Sequence, residues 1–407
     1  MPGPTRHPRT IAVATAERQD PVSTPELRVG VVGFGWMGQV HARALTRLVQ
    51  HYPDTALRPR LVAVADNAPD DRTARAAAAY GFEHLLSDWR ELVEHPEVDL
   101  VCVTGPNFIH RDVAVAAAQA GKHLWVEKPA GRDAGETAEI VAAVEAAGVQ
   151  AAAGFNYRNV PAVERARRIV ASGAIGEIEH STVRFLADYS ADPDAALSWR
   201  FRTEFSGSGV LGDLVSHATD LLGYVVAPVA ELVVDRATFI AQRREAVPGA
   251  MHYEKGAGAL GDVENEDYVS ALLRLADGSR AVLESSRVAV GEQNTYGFEV
   301  HGTRGAVAWD FRRMNELRVA SARDDAFTDT FYATEYAGPG DGEIGAFQPG
   351  TNNPVGFDDL KVVEARRLVE SIATGTPVGA TIHDALVAAR VLDAMILSSD
   401  ERKWVSL

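Results

Sequence analysis

The sequence has very little cysteine and no long apolar run, and each scarcity excludes a class of protein. One cysteine, Cys102, stands among its 407 residues, which rules out an internal disulfide and a cysteine-based metal cluster. We interpret Cys102 as a buried thiol and expect a cytoplasmic protein. No stretch approaches the roughly 18 consecutive apolar residues of a membrane-spanning helix, so none is predicted.

Positive charge is also in short supply. The chain carries 40 Lys and Arg against 56 Asp and Glu, for a net charge of −16, and has no basic block. This balance argues against nucleic acid or an anionic membrane as partner. The first 25 residues are rich in Pro, Arg and Thr, and their apolar run is too short for a secretion signal. We expect residues 1–25 to form a disordered tail.

The rest of the chain falls into two parts with different patterns of apolar residues. From Leu27 to about Gly154, apolar strand patterns alternate with helical ones, which predicts parallel βαβ units. After Phe155, longer β-patterned segments dominate, with helices near 161–172, 357–374 and 382–398 and a loop over 321–352. The predicted fold is therefore α/β. A doubly wound Rossmann sheet spans 26–155, and an α+β domain with a large, mostly antiparallel open sheet spans 156–407.

A glycine motif follows the first strand and opens the first helix. Gly33 permits a tight turn, Gly35 permits close approach of a pyrophosphate, and Gly38 lets the helix lie near the strand. The helix N-terminus then offers free N–H groups to phosphate. The glycine spacing alone is weak evidence for a dinucleotide site, and a glycine-rich turn used only for packing is the alternative. The strand–turn–helix context favours a dinucleotide site, with Phe34, Trp36 and Met37 between the glycines.

Asp66 ends the second predicted strand, where a carboxylate can accept hydrogen bonds from both ribose hydroxyls. The same charge would repel a 2′-phosphate, so NAD is favoured over NADP. Asp66 lies further from Gly38 than is usual, which we attribute to a loop insertion at His51–Pro59. Arg72 weakens the cofactor preference, and an Asp that only caps the next turn is the alternative.

Two further motifs offer catalytic groups. Glu127, Lys128 and Pro129 directly follow a strand, at the end where parallel sheets bind ligands. A lysine there can bind a hydroxyl oxygen or move a proton, although a surface lysine is the alternative. Asp213 and His217 are four residues apart, so one helical face would carry both. The carboxylate would fix the imidazole tautomer of a general base, unless the two merely form a surface ion pair. No metal site is predicted.

Taken in order, these motifs resemble the Gfo/Idh/MocA oxidoreductase family over roughly Leu27–Leu407. The motifs that carry the resemblance are Gly33-x-Gly35-x-x-Gly38, Pro106-Asn107-x-x-His110, Glu127-Lys128-Pro129, Gly154-Phe155-Asn156-Tyr157-Arg158 and Asp213-x-x-x-His217. Ser208 departs from the pattern, since many relatives have glycine there. We expect this serine to adjust loop shape without abolishing activity.

The resemblance implies roles for individual residues. It gives Lys128, Asp213 and His217 as the catalytic trio, with a Lys128–Pro129 bond that is often cis. Besides the glycine motif and Asp66, the implied cofactor-side residues are Thr104, Pro106, Asn107, His110, Glu127, Lys128 and Asn156. The implied substrate-side residues are the catalytic trio with Tyr157, Arg158, Trp199 and Arg200. The open sheet of such proteins commonly forms homodimers or homotetramers.

The implied activity is NAD-dependent oxidation of a secondary hydroxyl on a neutral sugar, anhydrosugar or cyclitol. His217 would take the hydroxyl proton, Asp213 would orient the imidazole, and Lys128 would bind the same oxygen. Trp199 would stack on a sugar face, or else anchor the core. One alternative is a glycosidase of the same family that oxidises, eliminates and reduces with tightly held NAD. Another is a non-catalytic dinucleotide sensor, which the intact trio disfavours.

Overall fold

The computed structural model describes residues 24–246, 254–322, 330–350 and 353–407. Of the predicted tail, residues 1–23 lie outside the described residues. Within the described ranges, no helix is both long and apolar enough to cross a membrane.

The first half of the chain forms one parallel sheet. Its strands are β1 (Glu26–Val32), β2 (Arg58–Ala65), β3 (His84–Leu86), β4 (Leu100–Val103), β5 (His123–Val126) and β6 (Ala151–Ala153). Its helices are α1 (Trp36–His51), α2 (Asp71–Tyr80), α3 (Trp89–Glu94), α4 (Asn107–Gln119) and α5 (Ala134–Ala147). The strand order β3-β2-β1-β4-β5-β6 confirms the doubly wound sheet, and its switch point lies between β1 and β4.

Local chemistry explains these elements. Strand β4 is Leu-Val-Cys-Val and is buried on both faces, as expected for a parallel strand covered by helices. Helices α2 and α5 begin after Asp70 and Asp133, whose carboxylates accept hydrogen bonds from the Thr73 and Glu136 amides. Cys102 is buried and unbridged, as predicted, and burial raises the pKa of its thiol.

The second half contains a larger sheet and a small two-stranded one, β9 with β10. The strands of this half are β7 (Ile178–Leu186), β8 (Val229–Ala237), β9 (Gln242–Arg244), β10 (Leu260–Asp262), β11 (Tyr268–Leu275), β12 (Arg280–Ser286), β13 (Thr295–Gly302), β14 (Gly305–Asp310), β15 (Glu316–Ser321), β16 (Ala333–Tyr336) and β17 (Val405–Ser406). Its helices are α6 (Pro161–Ala171), α7 (Thr203–Ser206), α8 (Ser216–Val225), α9 (Phe357–Thr374) and α10 (Ile382–Glu401).

Nine of these strands form the sheet β16-β15-β14-β13-β7-β12-β11-β8-β17. Among its described pairs only β7–β12 is parallel, which confirms the mostly antiparallel prediction. The prediction of loop throughout 321–352 is wrong at β16, which pairs with β15. One face of the sheet packs on α6, α8 and α10 around residues such as Phe185 and Leu283. The other face exposes alternate residues, among them Leu272 and Val282.

The C-terminal helices do not stay with the second half. Val362, Ala365, Leu368 and Val369 of α9 pack in one apolar cluster with α1 and the first sheet. The start of α10 joins the cluster under β5 and α5, whereas its end packs on the large sheet. Helix α9 therefore packs on the first sheet as well, although it lies after the predicted division between residues 155 and 156.

Candidate active site

The turn from β1 into α1 has the shape that a pyrophosphate needs. Gly33 has φ +86°, and a Cβ there would lie 2.5 Å from Gly105 Cα. Thr104 closes this contact, because its hydroxyl donates to the Val32 and Gly33 carbonyls at 3.0 and 2.7 Å. At Gly35, in contrast, a Cβ would meet nothing within 4 Å. The backbone at the start of α1 is thus open to a ligand.

Asp66 follows β2 and faces this turn. Its Oδ2 accepts a hydrogen bond from the Phe34 amide at 3.1 Å, so the carboxylate also braces the glycine loop. Phe34 itself turns its ring into the core against Tyr80 and Phe82, with centroids 5.7 and 5.3 Å apart. Phe34, predicted on the cofactor side, therefore offers only its backbone to the glycine loop.

A cleft of about 590 Å³ opens between the two halves beside this turn. From the nucleotide-binding half it is lined by Trp36, Met37, Thr104, Gly105, Asn107, His110, Glu127, Lys128 and Asn156. From the rest of the chain it is lined by Tyr157, Phe185, Tyr189, Trp199, Arg200, Asp213, Leu214, His217, Asn294, Phe311, Phe357, Asp358 and Lys361. Most of the residues predicted for cofactor and substrate thus meet in one place.

The cleft fits a nicotinamide cofactor. Asn156 is buried, and in the described part of the chain its side-chain Nδ2 has no hydrogen-bond partner. Leaving such a donor unpaired costs about 1–3 kcal/mol, and a ligand carbonyl would relieve that cost. Together with the open backbone at Gly35 and the helix N-terminus beyond it, this amide gives a dinucleotide both a phosphate cradle and a polar contact.

Lys128 is fixed from the opposite side of the cleft. The Lys128–Pro129 bond is cis, as the resemblance implied. The ammonium donates to the Asp213 backbone carbonyl at 2.7 Å and to Asp213 Oδ1 at 2.9 Å, and the Tyr189 hydroxyl donates to Asp213 Oδ2. Arg200 lies 4.0 Å from the same carboxylate. Burial opposes ionisation of Asp213, but Lys128 and Arg200 outweigh it and hold the pKa well below its usual range.

Asp213 does not orient His217 in the way the sequence predicted. Residues Leu211–Val215 form a π-helical turn, and α8 begins only at Ser216. Both carboxylate oxygens of Asp213 are occupied by Lys128 and Tyr189, and no hydrogen bond joins Asp213 to His217 in the described structure. The predicted tautomer-fixing pair is therefore wrong. Asp213 positions the lysine instead.

His217 presents a neutral base to the cleft. Its ring lies edge-on to Tyr157, with centroids 4.8 Å apart, and its nitrogens have no hydrogen-bond partner among the described residues. Burial above all, with the charge of Lys128, lowers the pKa of His217 well below its usual value. The imidazole is therefore unprotonated at neutral pH and free to accept a proton.

Three predicted site residues, Pro106, His110 and Arg158, offer no free polar group to the cleft and support the surrounding structure instead. Arg158 does not line the cleft, because its guanidinium is paired with buried Asp220 and with Asp384, so its predicted substrate role is wrong. Pro106 caps the start of α4 and also lies outside the cleft. The ring nitrogens of buried His110 face the carbonyls of Pro129 and Gly105 at 2.9 and 2.8 Å, so it braces the loops around Lys128.

Other predicted residues line the cleft as expected. Asn107 does so while its amide donates to the Ser206 carbonyl at 3.0 Å. Trp199 lies in the cleft wall with the Arg200 guanidinium stacked on it at 4.5 Å. Exposed Trp36 stacks on Phe357 of α9, with centroids 5.7 Å apart.

Two residues that line the cleft, Tyr189 and Lys361, were not predicted from the sequence. Tyr189 lies in an irregular segment whose sequence gives no signal of its contact with Asp213. Lys361 carried a usable signal, because it interrupts the apolar face of a helix between Leu360 and Val362, all three of them buried. A lysine at such a position must find a partner inside the protein.

Family models match both halves of the chain. The model described as "Oxidoreductase family, NAD-binding Rossmann fold" matches residues 27–155, and the model "GFO/IDH/MocA C-terminal domain" matches 163–308. Levoglucosan dehydrogenase of Pseudarthrobacter phenanthrenivorans is 35% identical over 94% of this chain and 98% of its own length. Inositol 2-dehydrogenase of Rhizobium meliloti is 27% identical over 94% of this chain and 99% of its own.

Solved structures agree with these matches. Levoglucosan dehydrogenase in complex with NADH and levoglucosan superposes with a TM-score of 0.87 at 33% identity, covering 94% of this chain and 99% of the other. An NAD-binding oxidoreductase from Klebsiella pneumoniae gives a TM-score of 0.86 at 34% identity with the same coverage.

Proposed function

The chain belongs to the GFO/IDH/MocA family of NAD-binding oxidoreductases, and from that premise we propose that it oxidises a secondary hydroxyl of a neutral sugar, anhydrosugar or cyclitol to the ketone. It is an NAD-binding oxidoreductase of the sugar and cyclitol dehydrogenase type. The observation that carries the proposal is one cleft in which a fixed ammonium, Lys128, and a neutral imidazole, His217, are both available to a substrate.

The two groups divide the proton chemistry between them. His217 accepts the hydroxyl proton on a ring nitrogen, while Lys128 donates a hydrogen bond to the same oxygen and stabilises the developing negative charge. Lys128 and Arg200 carry two positive charges against the single charge of Asp213, so this side of the cleft favours an alkoxide. Bound NAD supplies the acceptor for the hydride.

The walls of the cleft support a neutral ring as substrate. Tyr157, Phe185, Trp199, Phe311 and Phe357 provide aromatic surface, which suits the apolar face of a sugar or cyclitol. Because Arg200 faces the Asp213 carboxylate, part of its charge is offset, and the single net positive charge on this side suits a neutral substrate that becomes an alkoxide. Levoglucosan, which the name of the relative at 35% identity contains, is the first substrate to test.

Asp66 supports NAD as the cofactor in preference to NADP. The carboxylate stands at the end of β2 beside the glycine turn, where a 2′-phosphate would meet its negative charge. We expect the ratio of kcat/KM values to favour NAD.

A substrate panel tests the proposal. Levoglucosan, myo-inositol, glucose and an aryl glucoside are assayed with NAD and with NADP while absorbance of the reduced nicotinamide is followed. Steady accumulation of NADH with one of the first three supports the dehydrogenase. Release of aglycone without NADH would instead identify a glycosidase. NAD binding without turnover of any compound would favour a dinucleotide sensor.

We also propose that the chain assembles into a homodimer or homotetramer through the outer face of its large sheet. Leu272 of β11 and Val282 of β12 are directly paired on that face, and their exposed fractions are 53% and 46%. A paired apolar surface on an open sheet is suited to cover by a second copy.

A further inference from the structure

A cluster of four ionisable side chains lies buried behind Lys128, and the proton chemistry above does not use it. His41 comes from α1, Glu127 follows β5, and Lys361 and Glu364 come from α9. The Lys361 ammonium lies 2.6 Å from Glu127 Oε1 and 3.1 Å from Glu364 Oε1. His41 Nε2 lies 2.8 Å from Glu127 Oε1. Glu127 is thus held from two elements at once.

Glu127 also links this cluster to the cleft. Its second oxygen, Oε2, accepts a hydrogen bond from the Lys128 amide at 3.3 Å. The carboxylate lies against Gly154, where a Cβ would approach Oε2 to 2.6 Å. The place of the carboxylate is therefore set by close packing on one side and by Lys361 on the other. The peptide that carries Lys128 takes its position from it.

Stability alone gives little reason for such a cluster. A buried ion pair contributes little compared with well-packed apolar side chains, whereas removing one partner is costly. Glu364 Oε2 and His41 Nδ1 are buried without hydrogen-bond partners in the described structure, which adds to the cost. The cluster's location, directly behind the lysine that faces the substrate, points to a role in the site.

We propose that Lys361 is a positioning residue of the hydride-transfer site, which holds Glu127 as a fixed carboxylate and, through it, the Lys128 peptide. The inference rests on the proposed function. Lys361 reaches the wall of the cleft, but its ammonium is directed to the two carboxylates. It therefore acts through Glu127.

The charges around Glu127 set the direction of the pH effect. The ionisable groups that act on it or face it are His41, Cys102, His110, Lys128, Tyr157, His217, Lys361 and Glu364. Burial opposes ionisation of Glu127, but Lys361 and the hydrogen bond from His41 outweigh burial and hold its pKa well below the usual value. Lys361 also lowers the pKa of His217. Loss of the Lys361 charge therefore raises the pKa of Glu127 and the pKa of His217.

A double-mutant cycle tests the proposal with Lys361→Met, Glu127→Gln and the variant that combines them. For Lys361→Met we expect kcat at least tenfold lower, with KM for the sugar within about threefold of wild type. We expect the acid limb of its kcat–pH profile to move to higher pH. In the Glu127→Gln background, Lys361→Met should change kcat by less than about twofold, because the group through which it acts is gone.

NAD affinity gives a readout that needs no turnover. Titration followed by tryptophan fluorescence should show weaker NAD binding in Lys361→Met by several-fold, and no further weakening when Glu127→Gln is already present. The matched control is Lys122→Met, which removes an ammonium of the nucleotide-binding half whose hydrogen bonds among the described residues go to the His95 and Val98 carbonyls. It should keep wild-type kcat and NAD affinity.

The outcomes separate the two proposals. If wild type oxidises no sugar, the proposed function fails, and the cycle in NAD affinity still decides the role of Lys361. Wild-type kcat and affinity in Lys361→Met, an unmoved acid limb, or losses that multiply in the double variant would overturn the positioning role. If Lys361→Met does not fold, the double variant decides. If the double variant has the kcat and NAD affinity of Glu127→Gln, the positioning role is supported. A further large loss of either quantity overturns it.

Discussion

At the scale of single residues, burial favours the neutral form of both His217 and Asp213, the two ionisable groups beside Lys128, but it prevails only at His217. It keeps His217 neutral, whereas Asp213 stays ionised because Lys128 and Arg200 outweigh burial. A base and a fixed cation can therefore coexist in one cleft at neutral pH. Each state has a measurable consequence.

The first consequence is the pH range of activity. Since the pKa of His217 lies well below 6.5, the imidazole is already deprotonated at pH 6.5 and loses its basic form only at lower pH. We therefore expect the acid limb of the kcat/KM profile for sugar oxidation to fall below pH 6.5. Initial rates between pH 5 and 9 check this. A limb at pH 7 or above would contradict the neutral, desolvated imidazole.

Tyr189 gives a second prediction. Burial, with the adjacent Asp213 charge, raises the pKa of Tyr189 well above its usual range, so its hydroxyl remains a donor to the carboxylate that holds Lys128. Tyr189→Phe should lower kcat about tenfold, as expected for loss of one hydrogen bond to a charged group. Tyr268→Phe, which removes a 3.3 Å contact with Glu284 on the large sheet, serves as control and should leave kcat unchanged.

At the scale of elements, the turn between β1 and α1 is closely packed as well as left-handed at Gly33. Gly33 and Gly81 share left-handed backbone, with φ +86° and +82°, but a Cβ at Gly81 would meet nothing within 4 Å. Gly81→Ala should therefore cost only the left-handed strain of about 1–2 kcal/mol. Gly33→Ala adds the collision with Gly105.

We accordingly expect Gly33→Ala to lower the melting temperature further than Gly81→Ala and to abolish detectable NAD binding. Calorimetry and NAD titration on both variants check the two effects separately. Equal melting temperatures with intact NAD binding would show that the turn relaxes, and that the close packing against Gly105 is dispensable.

The elements of the fold followed from the sequence more readily than the contacts at the site. A continuous apolar run predicts β4 and an alternating pattern predicts β11, because burial on two faces or on one leaves a local signature. β16 was missed because four residues within a polar stretch carry little such signature. The partners of Arg158 and Asp213 were not predicted for another reason: Asp220 and Lys128 lie 62 and 85 residues away, and no local pattern encodes that choice.

At the scale of the whole molecule, the exposed face of the large sheet predicts self-association. A double variant that places lysines on the paired strands, Leu272→Lys with Val282→Lys, should convert the dimer or tetramer into a 43.7 kDa monomer. Light scattering after size-exclusion chromatography measures the mass. Val387→Lys, an equally exposed valine on α10, should leave the assembly intact. A monomeric wild type would contradict the proposed interface.

The packing of α9 has a consequence for autonomy. Leu45 and Leu48 of α1 are buried partly by Val362 and Leu368, and Lys361 sits on the same helix. Residues 26–155 expressed alone would expose that apolar surface and would leave Glu127 without its cation. We therefore expect that residues 26–155 do not fold stably on their own. We expect the cleft to be completed only after α9 has been synthesised, because Phe357, Asp358 and Lys361 of that helix line it.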